Sequence, residues 1–187
     1  MILEFLEEKM MPFAAKIANQ RHLAAIKDGI IVTLPFIIAG SVFLILANLP
    51  IPAITKFYLT DTGQIIQKWL SYPVGVTFDL IAVITCLGIA YRLSESYKLD
   101  GISGAILGLV SFLLVTPFVI NFTHEKFGQL TAAGIPTSLT GSSGLFVAII
   151  MAILSTEIFN FIVKKDLVIK MPDMVPPAVS KSFAALI

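Results

Sequence analysis

Residues Gly29 to Asn48, GIIVTLPFIIAGSVFLILAN, carry no charge across twenty positions. As a helix they would reach about 30 Å, the thickness of a bilayer's hydrocarbon core. A soluble helix of that length needs a polar stripe toward water, and this stretch has none. It is read as a transmembrane helix. The rest of the chain agrees, with 57% hydrophobic and 13% charged residues and a mean hydropathy of +0.92. Soluble domains carry about 25% charge, so lipid is the expected main solvent.

The totals also remove several functions. A net charge of +1 leaves no basic surplus for nucleic acid. A single cysteine gives no internal disulfide and makes a cysteine-based metal site unattractive. Glu4, Glu7 and Glu8 stand where a secretory leader would be cationic.

Taken in order, residues 1–28 read as an amphipathic interfacial helix. Leu3, Leu6, Met10, Phe13 and Ile17 recur at intervals of three and four and share one face. Pro12 breaks or kinks it. A four-span bundle is expected over 29–163, with helices at about 29–49, 70–91, 102–121 and 144–163. Pro35 falls inside the first span. Residues 51–68 read as a short loop with one helical turn near 64–69, and 122–143 as an exposed loop with a small hairpin. Residues 164–187 read as a cytoplasmic connector and the start of a further helix at 176–187, opened by Pro176-Pro177. That helix is still apolar at Ile187, so a continuation is expected. The fold class is an all-α membrane protein.

Orientation follows from where the cations fall. Of the thirteen Lys and Arg residues, only Lys56, Lys68 and Lys126 lie on one side of a four-span chain. The other ten share the side of the N-terminus, which places it in the cytoplasm. The location is the cytoplasmic membrane, crossed several times.

Asp79 and Glu157 are the weak candidates for a polar site, because an ionisable group in mid-span costs about 2.5–3.5 kcal/mol on insertion scales. The simpler reading places both near span ends, where they reach water or a basic partner. His22 and His124 read as solvated or structural histidines, and Cys86 as an inert packing residue. No phosphate loop, dinucleotide fingerprint or metalloprotease motif is present, and no catalytic, substrate-binding or metal residue is assigned. No cofactor is expected. Gly101, Gly104, Gly108 and Ser111 mark one flank of the third span. Small residues at this spacing let helix backbones approach, so this flank is a packing seam.

Two blocks of residues say more. Gln20-Arg21-His22-Leu23, Ile26-Lys27-Asp28-Gly29, Pro35 and Gly40-Ser41 resemble the opening of the IIC permease of bacterial sugar phosphotransferase systems. The branch resembled is the lactose, cellobiose and N,N′-diacetylchitobiose one. Met171-Pro172-Asp173-Met174-Val175-Pro176-Pro177-Ala178-Val179-Ser180-Lys181-Ser182-Phe183 is similar to that family's segment after its fourth span, and Gly144-Leu145-Phe146-Val147-Ala148-Ile149 fits between them. Lys27 and Lys181 stand where Arg is at least as common, which keeps the charge. The resemblance implies that this piece is the N-terminal scaffold and dimerisation half of a permease roughly twice as long. The full-length permease would move a disaccharide with coupled phosphorylation, helped by cytoplasmic IIB and IIA partners. The sugar site would lie in the other half, and this piece alone would not be catalytic. The alternative is a self-contained four-span protein, a pore former or assembly factor.

Overall fold

Two apolar rods lie antiparallel and organise the molecule. The computed structural model describes residues 20–124 and 128–167. The first rod runs from Arg21 to Ala47 and is broken once. Its parts are α1 (Arg21–Ile31) and α2 (Leu34–Ala47). The break falls at Val32-Thr33. The Thr33 hydroxyl donates to the Ile30 carbonyl at 2.7 Å, and Pro35 sits in the first turn of α2. The sequence reading placed Pro35 inside a helix starting at 29. Instead the proline opens a second helix, where its missing N–H costs nothing, and α1 runs uninterrupted through residues 28 and 29.

A short helix, α3 (Pro52–Tyr58), turns the chain into the second rod, Asp61–Ser96. This segment was expected to be mostly loop. It is helical because Pro52 lies in the first turn of α3 and Thr60 caps the next helix, its side chain accepting from the Gly63 N–H at 3.1 Å. The second rod is α4 (Asp61–Phe78) and α5 (Ile81–Ser96), interrupted at Asp79-Leu80. It is anchored to the first rod near the turn, where Gln67 Nε2 donates to the Ala47 carbonyl at 2.8 Å. At mid-length a Cβ on Gly29 would lie 2.5 Å from the backbone nitrogen of Ile89. Only glycine permits that approach.

Asp100 caps α6 (Gly101–Leu114) by accepting from the Ser103 N–H at 2.8 Å. The helix ends seven residues short of the expected position 121. Pro117 disfavours helical dihedrals at Thr116, and the β-branched and aromatic residues that follow form a strand. Strands β1 (Val119–His124) and β2 (Gly128–Ala133) pair antiparallel, from Val119 with Ala133 to His124 with Gly128. The hairpin expected in this loop is therefore present, and it starts earlier. A one-turn helix, α7 (Thr137–Thr140), and a 3-10 turn (Ser142–Gly144) lead into α8 (Leu145–Lys164).

The core lies where α5, α6 and α8 meet. Ala82, Cys86, Ile89, Ala90, Phe112, Ala148 and Ala152 are buried together. Small side chains dominate it, so the three backbones sit close and the large apolar groups point outward. Ile38, Ile45, Ile102, Leu114 and Phe146 are all exposed. An outside this apolar belongs in hydrocarbon. Among the described residues, three helical stretches are long and apolar enough to cross a bilayer, and α6 is a shorter fourth. Most of the expected interfacial helix and the segment 168–187 lie outside the described residues.

Candidate functional site at the converging helix ends

All three long stretches begin or end at one place. Arg21 opens the first, Ser96 closes the second and Lys164 closes the third. There a set of polar side chains converges from three helices. Glu157 projects from the last two turns of α8. Its Oε1 lies 2.9 Å from His22 Nε2 on α1 and accepts from the hydroxyl of Tyr97 at the C-terminal cap of α5. The Arg21 guanidinium carbon stands 4.4 Å from the centroid of the Tyr97 ring and the Lys164 ammonium 5.2 Å from it. A cation at these distances is attracted by the negative face of the ring. Three helices are thus tied by one carboxylate and one phenol.

The electrostatics follow from that packing. Burial, and then the hydrogen bond to Glu157, push the Tyr97 phenol above its ordinary value, with Arg21 opposing. The phenol is held as a neutral donor. One turn from Glu157, Asn160 is buried and its Oδ1 has no partner among the described residues. Chemically the arrangement can fix helix ends.

Asp79 is elsewhere. It caps the C-terminus of α4 at the far end of α5, facing Thr137, Ser138, Ser142 and Ser143 across a surface cavity of about 300 Å³. The two carboxylates singled out in the sequence are therefore not brought together. The packing residues are. A Cβ on Gly104 would meet Ser94 Oγ at 1.8 Å, one on Gly108 would meet the Ala90 Cβ at 2.6 Å, and one on Gly101 would meet the Tyr91 ring at 2.7 Å. The Cys86 thiol donates to the Gly108 carbonyl at 3.3 Å across the same seam. Ser111 continues the flank, half-buried. His124 lies on the hairpin. Among the described residues no group of three His, Cys, Asp or Glu side chains could hold a metal ion.

Sequence reasoning missed the parts played by Arg21, His22 and Tyr97. The only local signal was Glu157 seven residues before Lys164, on one helix face. Nothing local links position 22 to position 157.

Residues 27–187 match the family described as Phosphotransferase system, EIIC. The chain belongs to that family. Among its relatives, the Lichenan permease IIC component of Bacillus subtilis (strain 168) is 50% identical over 186 residues, 98% of this chain and 41% of that protein. The PTS system cellobiose-specific EIIC component of Geobacillus stearothermophilus is 50% identical over 187 residues, 99% of this chain and 42% of that protein. Among solved structures, the fold matches the crystal structure of the transporter ChbC, the IIC component from the N,N′-diacetylchitobiose-specific phosphotransferase system. The TM-score is 0.89 at 50% identity, over 97% of this chain and 43% of that one. The EIIC chain described here thus spans about two fifths of these relatives' length and is embedded in the membrane as they are.

Proposed function

We propose that the chain is the N-terminal scaffold of a phosphotransferase-system permease that moves a β-linked disaccharide or diacetylchitobiose across the cytoplasmic membrane, with phosphorylation on the inner side. The observation that carries this reading is the match at 50% identity, over nearly the whole chain, to permease components named for cellobiose and for N,N′-diacetylchitobiose. The site geometry supports the scaffold part. The polar cluster ties helix ends, and the sugar site is assigned to the part of the relatives' length that this chain does not span.

In this reading the cluster of Arg21, His22, Tyr97, Glu157 and Lys164 faces the cytoplasm, where the cation excess belongs. The N-terminus is cytoplasmic, and the bundle runs from Arg21, where the first rod opens, to Lys164 at the end of α8; the interfacial helix expected before Arg21 and the connector expected after residue 167 lie outside the described residues. Glu157 is a structural pin. Asp79 ends a helix near the outer face, where serine and threonine hydroxyls and water share its solvation. The exposed apolar faces of α2 and α4 suit contact with a second copy, and IIB and IIA proteins would supply the phosphate.

The test is uptake and phosphorylation by the full-length permease in vesicles supplied with IIA, IIB and a phosphate donor. Cellobiose or diacetylchitobiose should appear inside as the phosphate ester. Accumulation of free sugar, or of neither sugar, would reject the reading. Cross-linking through cysteines placed on α2 should yield a dimer, and a strictly monomeric product would remove the second-copy part alone.

A further inference from the structure

Each of the two rods is interrupted once, at Val32-Thr33 and at Asp79-Leu80. Both breaks have local causes. Pro35 has no N–H for the Ile31 carbonyl, and the Thr33 hydroxyl turns back to Ile30 instead. In α4 the Thr77 hydroxyl donates to the Pro73 carbonyl at 2.8 Å, a bond that bends helices, and Asp79 ends the helix two residues later. By contrast, α8 runs through twenty residues without interruption.

Between the breaks lies a unit made of α2, α3 and α4, Leu34 to Phe78. Its buried residues are Gly40, Ala47, Gly63 and Thr77, and the unit itself covers them. A Cβ on Gly40 would overlap the Thr77 side chain, and one on Gly63 the Phe57 carbonyl. Gln67 holds the Ala47 carbonyl, and the Tyr58 hydroxyl donates to the Leu46 carbonyl at 2.9 Å. No residue between 34 and 78 belongs to the core where α5, α6 and α8 meet, or to the half-buried side chains packed on it. Beside the first break a cleft of about 420 Å³ opens between Phe36 on the unit and Ile84 and Leu87 on α5. The second break rests on the turn before α8, where a Cβ on Gly141 would lie 3.2 Å from the Phe78 carbonyl oxygen.

Parts that share little buried surface move against each other unless a large apolar interface holds them. Bending at either break also spares the helical hydrogen bonds, because both helices already stop there. We propose that Leu34–Phe78 is an arm that swings as a rigid body on these two hinges, toward and away from α5. The cleft beside Phe36 is the space it closes into. A rotation of about 15° carries the far end of α4, about 27 Å from its hinge, through about 7 Å.

The experiment measures distances between spin labels in the full-length protein in phospholipid nanodiscs. Labelled chains are diluted with unlabelled ones, so that only distances within one chain are read. Cysteines replace exposed residues in a background cleared of other cysteines, Cys86→Ala included. Ile38→Cys with Leu59→Cys reports within the arm, Ile102→Cys with Phe146→Cys within the core, and Leu59→Cys with Phe146→Cys between the two. The first two distributions should be single and narrow. The third should be wider by about 7 Å, or split by that amount. Pro35→Ala restores an N–H for the Ile31 carbonyl and should fuse α1 to α2, narrowing the third distribution to the width of the others. A third distribution as narrow as the first two in the wild type would overturn the proposal, and so would an unchanged spread in Pro35→Ala. A broad first distribution would mean a loose segment and no rigid arm. If Pro35→Ala does not fold, the three pairs in the wild type decide alone. The measurement needs neither sugar nor phosphate donor, so its failure would leave the transport reading standing.

Discussion

His22 and Glu157 stand 135 positions apart in the chain and 2.9 Å apart in space. The contact joins the first turn of α1 to the last two turns of α8, with the Tyr97 hydroxyl on the same carboxylate oxygen. Removing the acceptor leaves two donors and two nearby cations without it. Glu157→Ala should therefore lower stability by about 1 kcal/mol, a figure kept modest because the side chain is partly exposed. Thermal unfolding in detergent measures it, and in a His22→Ala, Glu157→Ala cycle the two changes should add to less than their sum. Full additivity would show that the pair does not couple.

The glycines separate two kinds of cost. Gly29 lies against the Ile89 backbone, which cannot rotate away, so Gly29→Ala should force the two rods apart and cost about 3 kcal/mol. Gly128 has φ of +72° with nothing within 4 Å of an added Cβ. Gly128→Ala should cost only the left-handed backbone preference, about 1 kcal/mol. Equal losses of folded yield for the two variants would contradict this account.

The seam between α5 and α6 predicts a partial rescue. Gly104→Ala brings a methyl onto Ser94 Oγ, and Ser94→Ala removes that oxygen but leaves the Ser94 Cβ at 2.7 Å. The double variant should recover part of the lost stability and not all of it, as read from the melting temperature of the purified protein. No recovery would mean that the helices had already moved.

Tyr97 gives a pH dependence with a definite sign. Its phenol is raised in the fold above the ordinary value of 10.0, by burial first and then by Glu157. The neutral form is the one stabilised, so the contribution is complete below that value and is lost as pH climbs through the folded value. Absorbance of tyrosinate in the wild type minus Tyr97→Phe should titrate later than a free tyrosine. A component at or below the ordinary value would refute the burial argument.

Sidedness can be read directly. Cysteines introduced at Glu95 and Asp166 should react with membrane-impermeant reagents from the cytoplasmic side, and one at His124 from the outside. Labelling of positions 95 and 124 from the same side would break the four-span order. On the same scaffold reading, titration of the isolated chain with cellobiose should give no saturable heat.

Much of the architecture was written along the chain. The uncharged run from Gly29, the glycine spacing of 101, 104 and 108, and the turn residues between 122 and 143 announced a membrane rod, a close helix pair and a hairpin. Each depends on residues within a few positions of one another. The boundaries were less legible. Pro35 could interrupt a helix or begin one, and only the close fit of Gly29 on Ile89 together with the Thr33 turn decides for the second. Residues 51–68 looked polar enough for loop because α3 is only seven residues long and its apolar face is correspondingly short.

The sequence by itself determined the solvent, the helical class and the family motifs, because hydrophobic length and local spacing are properties of consecutive residues. Only the tertiary structure decided that Glu157 meets His22 and Tyr97 and that Asp79 sits at the other end of α5, facing the serines and threonines that precede α8. Those facts depend on how three helices cross, and the crossing is set by which small side chains let backbones touch across more than a hundred residues of chain.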